Sequence, residues 1–138
     1  MKVFASIAAV VGLAAMCLVP SVSAAGKYDG SAPMICAALT VTECLAGGRC
    51  QRRSAESVNL PELFRVDAKA MKVRNLETEK GRESSIRSVD HANGKMILSG
   101  GEGERGWNVQ INEETGKMSA VVSGDGEGFV VFGQCALP

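Results

Sequence analysis

The chain has 138 residues, of which 15 are lysine or arginine, 15 are aspartate or glutamate and one is histidine. A chain of this length accommodates one domain rather than two. Because its formal net charge is zero, it has no general attraction for nucleic acid or an anionic membrane, and we expect neither as a partner.

The N-terminus is typical of a secretory signal peptide. A basic start at Met1-Lys2 precedes an almost wholly apolar run over residues 3–19, which Pro20 ends. Val22-Ser23-Ala24 supplies the small residues of a signal peptidase site, with Ala25 as the adjacent alternative. We therefore predict that residues 1–24 are a signal peptide and are removed.

The remainder, residues 25–138, is predicted to be a single β domain that is periplasmic or secreted. No later stretch approaches the ~20 apolar residues of a membrane helix, so no membrane insertion is expected after the signal peptide is removed. A minor alternative is a lipid anchor at Cys17. Met16 stands just before that cysteine, however, where a lipid-modification site has a small residue.

The segment over residues 34–54 has two interpretations. Ser31 as N-cap and Pro33 in the first turn would suit a helix that begins near residue 34. Val41 between two threonines and the Gly47-Gly48 pair instead favour a strand hairpin, which is the interpretation we prefer.

Four cysteines follow the leader: Cys36, Cys44, Cys50 and Cys135. An exported chain enters an oxidising compartment, so an even number predicts two disulfides. Zinc is the alternative, but gaps of eight and six residues lack the close ligand pairs of common structural sites, and the single His91 does not complete one. Of three pairings, we favour Cys44–Cys50 across the glycine turn, which leaves Cys36–Cys135 to tie the start of the fold to its end.

Six strands are predicted from residue 64 onward, because short apolar or alternating runs recur with turn signals between them. They cover residues 64–70 with a bulge near Ala70, then 85–91, 95–99, 107–112, 117–123 and 129–132. Asn93-Gly94 is the strongest hairpin signal among the turns. The wholly apolar run 129–132 suits a strand that is buried on both faces. Residues 57–61 are predicted to be a linker, and residues 76–82 an exposed loop.

With the N-terminal hairpin, the count reaches about eight antiparallel strands in sequence order. We predict an all-β fold: an up-and-down meander closed into a small barrel, because closure removes the free strand edges that invite aggregation. A sandwich of two small sheets is the alternative. A barrel of eight strands encloses either packed side chains or one small ligand.

No pattern in the chain predicts catalysis. The run from Gly101 to Gly106 matches the dinucleotide fingerprint G-x-G-x-x-G, but a strand follows it where a helix is required, so it predicts a hairpin loop. Asp125 and Glu127 lack the alternating oxygen ligands of a calcium loop, and His91 is expected on the surface. We therefore assign no catalytic residue, no cofactor and no metal.

The best functional candidate is Trp107, the only tryptophan. It stands at the start of a strand beside a glycine-rich loop, where it would stack on a ligand at a barrel opening. The preferred interpretation is that it anchors the core, since Trp107, Val109 and Ile111 alternate on one face.

Several stretches together resemble a family of small uncharacterised secreted proteins of Gram-negative bacteria. They are Tyr28-Asp29-Gly30, Pro33-Met34-Ile35-Cys36-Ala37, Glu43-Cys44 with Cys50, Val58-Asn59-Leu60-Pro61 leading to Val66-Asp67, Gly106-Trp107, and Gly126-Glu127-Gly128-Phe129-Val130-Val131-Phe132-Gly133 with Cys135. That family has no established activity, so the resemblance implies no catalytic residue. It implies a bacterial, periplasmic setting and cysteines that belong to the fold.

These observations lead to the hypothesis of a non-enzymatic binding or envelope accessory protein, whose partner is a small ligand or an envelope protein. One alternative is an envelope hydrolase that uses His91 with carboxylates. Another is a purely structural or assembly component.

Overall fold

A computed structural model describes residues 27–77 and 81–138. The predicted signal peptide with Cys17, and residues 78–80 of the predicted loop, lie outside the described residues. Nine strands and one 3₁₀ turn at Glu56–Val58 make up the described part. The strands are β1 Met34–Leu45, β2 Cys50–Arg53, β3 Leu63–Asp67, β4 Lys72–Asn75, β5 Glu83–Ala92, β6 Lys95–Glu102, β7 Arg105–Asn112, β8 Lys117–Ser123 and β9 Glu127–Ala136.

The strands form one antiparallel sheet that closes on itself. From β3 to β9 each strand pairs with the next in the chain, and β1 pairs with β3 on one side. On its other side β1 pairs with β9 through ten residue pairs, from Ile35 with Ala136 to Leu45 with Glu127. This confirms the closed up-and-down barrel, which consists of β1 and β3–β9. The extra strand β2 forms a hairpin with the C-terminal half of β1, so the hairpin interpretation of residues 34–54 is also confirmed.

Both disulfides join directly opposed residues of neighbouring strands. Cys36 and Cys135 face each other across the β1–β9 seam, and Cys44 and Cys50 face each other across the β1–β2 hairpin. The predicted pairing is therefore confirmed. Since such bonds persist only where thiols are oxidised, they indicate a compartment outside the reducing cytoplasm. Within the described ranges, no helix has the length and apolar character needed to cross a membrane.

The core fills the barrel interior because apolar residues recur at every second position along most strands. The largest fully buried side chains are Phe129, Met34, Met96, Leu98, Ile111 and Val66. The Cys36–Cys135 pair lies among them, at 0% and 1% exposure. Met34 and Cys36 come from the start of β1, so this part of the core lies toward the end of the barrel where β1 begins.

That end of the barrel is closed by the residues before β1. The amide of Tyr28 donates to the carbonyl of Glu113 at 2.7 Å, which fixes this segment to the β7–β8 turn. Gly30 is buried with a φ of 82°, and a Cβ there would lie 2.7 Å from Met96 Sδ and 2.9 Å from Ala68 Cβ. We call this the closed end, and we call the opposite end, where β1 terminates and β9 begins, the open end.

The strand predicted over residues 64–70, with its bulge near Ala70, is wrong in its second half. The chain reverses after Asp67 and returns as β4, with Asp67 opposite Lys72. The Asp67 carboxylate accepts the amide hydrogen of Ala70 at 2.9 Å, and Met71 adopts a left-handed φ of 57°. An aspartate that binds a backbone amide three residues onward stabilises a tight turn without glycine or proline. The predicted bulge near Ala70 is therefore the turn of a hairpin.

The prediction that residues 129–132 are buried on both faces is also wrong. Phe129 and Val131 point inward, whereas Val130 and Phe132 are 37% and 54% exposed. The reason is the single wall of a barrel, because nothing in the described chain covers the outer face of β9.

Candidate ligand cavity at the open end

The open end leads into a cavity of about 690 Å³ inside the barrel. Its walls are mostly apolar and come from seven of the eight barrel strands: Ala38, Phe64, Val73, Trp107, Val109, Met118, Ala120, Val122 and Val131, with Ser84. Pockets of roughly 300–1,000 Å³ with apolar walls and few polar groups are typical of small-molecule sites. The barrel therefore has a packed half and a hollow half.

The hollow half arises where short side chains face inward. Ala38 on β1 and Ala120 on β8 line the cavity, and Gly100 on β6 lies opposite Trp107. A Cβ at Gly100 would lie 2.2 Å from Trp107 Cζ2 and 2.5 Å from the carbonyl oxygen of Ser85. Gly100 thus makes the space into which the indole fits, and the two alanines leave the remaining volume open.

Trp107 combines both roles that the sequence suggested. Its side chain is half-buried, shares the inward face of β7 with Val109 and Ile111, and also lines the cavity. The indole Nε1–H donates to Ser84 Oγ at 2.9 Å, and that hydroxyl donates to the carbonyl of Gly101 at 3.4 Å. The hydrogen bond holds the indole plane against the wall. Contact between Trp107 and a ligand remains a prediction.

Charged residues line the rim of the cavity: Arg82, Glu102, Glu104, Arg105, Asp125 and Glu127. Sequence reasoning found none of them as site residues. For all of them except Arg82, which lies in the loop before β5, the available signal was a position in one of two glycine-rich turns, one before Trp107 and one after β8. The run from Gly101 to Gly106 is the predicted hairpin, and Asp125 lies in the turn before β9.

Arg105 connects three parts of the rim through its guanidinium group. Its guanidinium contacts Glu127 Oε1 through Nε at 3.1 Å and Nη2 at 2.6 Å, and lies 4.9 Å from the centre of the Phe129 ring. Its Nη1 donates to the carbonyl of Val58 at 2.9 Å. Glu127 is therefore an arginine partner. No group of three or more metal-ligating side chains occurs in the part of the chain that the structure describes.

The predicted linker over residues 57–61 is instead part of a packed segment, residues 54–61, which we call the cover segment. Ala55 and Val58 are only 4% and 6% exposed, and Asn59 ends the 3₁₀ turn with a left-handed φ of 57°. Besides Arg105, Arg82 holds this segment, since it donates to the side chain and carbonyl of Asn59 at 3.4 and 3.3 Å. The cover segment forms one side of the cavity mouth.

We expect Arg105→Met to loosen the cover segment, because it removes a charge-assisted hydrogen bond to Val58 and the partner of Glu127. The free energy of unfolding should fall by about 2 kcal/mol. Hydrogen exchange should accelerate at the amides of Val58, Asn59 and Leu60, which bond within the segment.

Arg74→Met is the matched control for the Arg105 variant. Arg74 and Lys72 both bind Glu83 on the outer wall, and hydrogen bonds from Arg74 and then Lys72 lower the pKa of the Glu83 carboxyl. That cluster is exposed, so its loss should leave exchange in the cover segment unchanged. Equal effects of the two variants would contradict the role of Arg105.

His91, the residue of the hydrolase hypothesis, lies at the closed end. It is half exposed, and its Nδ1 is 2.5 Å from Glu113 Oε1. Asp29 is a second carboxylate nearby. Hydrogen bonds from Ser31 are the main cause that lowers the Asp29 pKa, with a smaller contribution from His91. The structure does bring carboxylates to His91, but the imidazole is half exposed and lies at the end opposite the cavity. The hydrolase hypothesis remains an untested prediction.

Comparison with known proteins adds no family: no family model, no curated protein and no solved structure matches this chain. The resemblance to small secreted proteins of Gram-negative bacteria therefore remains a prediction.

Proposed function

We propose that this is a non-enzymatic binding protein of the bacterial periplasm, which holds one small, largely apolar molecule inside its barrel. The observation that carries the proposal is the cavity of about 690 Å³ with apolar walls. The oxidised cysteines support an exported protein, and the predicted signal peptide and the family resemblance support the periplasm.

The physical basis is that an empty apolar cavity costs stability and a ligand recovers it. Apolar surface that is shielded from water contributes about 25 cal/mol per Å² to binding, before the cost of immobilising the ligand. Packed aromatic and aliphatic side chains at Phe64, Trp107 and Val131 keep the walls in place without a ligand. A preformed site of this kind loses little entropy when it is filled.

The single tryptophan makes the proposal directly testable, since Trp107 lines the cavity. The mature domain, residues 25–138, should change its tryptophan fluorescence when it is titrated with the neutral apolar probe N-phenyl-1-naphthylamine. The change should saturate at one bound probe per chain. Native mass spectrometry of material exported to the periplasm should also show a bound small molecule. Absence of probe binding together with repeated recovery of bare protein would contradict the proposal.

Two variants of β8 locate the probe. Ala120 faces the cavity, and Val121 faces outward with 52% exposure. Ala120→Phe should fill part of the cavity and weaken probe binding by roughly tenfold or more, because a phenyl ring displaces ligand volume. Val121→Phe, a comparable change on the outer face, should bind as the parent does. Equal affinities of the two variants would place the probe outside the barrel.

A further inference from the structure

We propose that the molecule held in the cavity carries a cationic amine head group, which Glu104 and Asp125 bind at the rim. This inference rests on the proposed binding function and specifies its ligand class. The cavity is the site, and the rim charges determine which end of a ligand faces outward.

The inner part of the cavity can accept only an apolar group. Its single polar side chain in the wall is Ser84, which is 9% exposed and already bonds Trp107 and the carbonyl of Gly101. A charged group placed there would lose its hydration without a partner, which is costly. A charged head group therefore has to stay at the rim.

The positive charges of the rim already have partners. Arg82 pairs with Glu102 at 2.5 Å, and Arg105 pairs with Glu127 at 2.6 Å. Both guanidiniums also bind the cover segment, as described above. An anionic head group would have to displace a carboxylate from one of these pairs, so the rim is not arranged to receive an anion.

Among the described residues that line the rim, the two remaining charges, Glu104 and Asp125, are both negative. Among residues 27–77 and 81–138, neither Glu104 nor Asp125 forms an ion pair. They belong to the turns that flank β7 and β8, where Gly106 is opposite Ser123. Glu104 and Asp125 are both exposed turn residues that line the mouth of the cavity. A Cβ built on Gly124 would lie 3.5 Å from Arg105 Cγ, so the two turns approach each other.

Two unpaired carboxylates on turns that approach each other repel, and a cation bound near both reduces the repulsion. A cavity mouth with one sign of excess charge also attracts ligands of the other sign. Of the common biological cations, an amine on an apolar body fits both the apolar walls and the acidic rim.

The test compares three molecules with one chain and different heads: dodecylamine, dodecanol and dodecanoate. Each is titrated below its micelle concentration at pH 7, against N-phenyl-1-naphthylamine bound to the mature domain. We expect dodecylamine to bind about tenfold more tightly than dodecanol, and dodecanoate to bind most weakly, with a preference that shrinks at high salt. Equal affinities, or a preference for dodecanoate, would overturn the inference and leave the proposed function intact. Failure of all three to displace the probe would remove both.

A pair of charge-matched variants assigns the preference to the rim. Glu104→Gln/Asp125→Asn should abolish most of the preference for dodecylamine over dodecanol. Asp90→Asn/Glu114→Gln removes the same charge from exposed residues on β5 and on the β7–β8 turn, toward the closed end, and should keep the preference. If both double variants keep it, or both lose it equally, the rim carboxylates do not select the head group.

Discussion

Removal of the Cys36–Cys135 disulfide, in the variant Cys36→Ala/Cys135→Ala, should lower the free energy of unfolding by about 4–5 kcal/mol. Every other pair of neighbouring barrel strands from β3 onward is joined by a short connection, but the β1–β9 seam joins the two ends of the barrel. The disulfide is the only covalent bond across that seam among the described residues, and it spans 99 residues of sequence. Without it, the unfolded chain regains the freedom to separate its ends.

The second disulfide supplies a matched control. Cys44–Cys50 closes a loop of only six residues' separation, so the chain-entropy relation gives Cys44→Ala/Cys50→Ala a loss of roughly 2 kcal/mol. Urea unfolding followed by far-ultraviolet circular dichroism measures both. Cys50 is exposed whereas Cys36 and Cys135 are buried, so mild reductant should open the hairpin disulfide first. Equal losses from the two double variants would contradict the seam's special role.

The barrel could be predicted from sequence because most of its topology is local. Successive strands pair with their neighbours in the chain, so turn signals specify the order. Asn93 and Gly94, with φ values of 51° and 71°, form the hairpin that their residue types predicted. Two pairings join strands that are not successive: β1 with β3, across the β2 hairpin, and β1 with β9, which cysteines near the two ends of the domain indicated.

The turn between β3 and β4 gave a weaker signal. Residues 68–71 contain neither glycine nor proline, and period-two alternation continues into them. Only Asp67, whose carboxylate accepts the amide of Ala70, marks the reversal. The cover segment gave no local signal, because Val58 is held by Arg105, 47 residues further along the chain.

For a barrel of eight strands, the sequence allows two kinds of interior, one filled by side chains and one that encloses a small ligand. It does not decide between them. Whether the interior is filled depends on volumes at positions that meet in space, such as Ala38, Gly100 and Ala120. Each is unremarkable in its own segment, and their combined effect depends on strand register. Trp107 was identified because it is unique, whereas Glu104 and Asp125 resemble ordinary solvated turn residues until the register brings them to one rim.

The second large effect is expected from Trp107→Ala, which should lower the free energy of unfolding by about 3 kcal/mol and abolish ligand binding in the cavity. Truncation of a fully buried aromatic costs about 3–5 kcal/mol, and Trp107 is half-buried, so the lower end applies. The variant also leaves Gly100 without the indole that its missing side chain accommodates. Since it removes the fluorophore, unfolding is followed by circular dichroism and binding by the emission of N-phenyl-1-naphthylamine.

Trp107→Phe separates packing from hydrogen bonding at this position. It keeps a smaller aromatic ring against the wall, and loses the Nε1–H bond to Ser84 and part of the packing against Gly100, so its cost should be about 1–2 kcal/mol, less than that of Trp107→Ala. In a double-mutant cycle with Ser84→Ala, the interaction energy reports that bond alone. If Trp107→Ala proved nearly neutral to stability yet lost the probe, the indole would be a ligand contact and little more. If it were destabilised and still bound the probe, the cavity wall at β7 would not form the binding site, because a ligand inside the hollow half of the barrel has to lie against that ring.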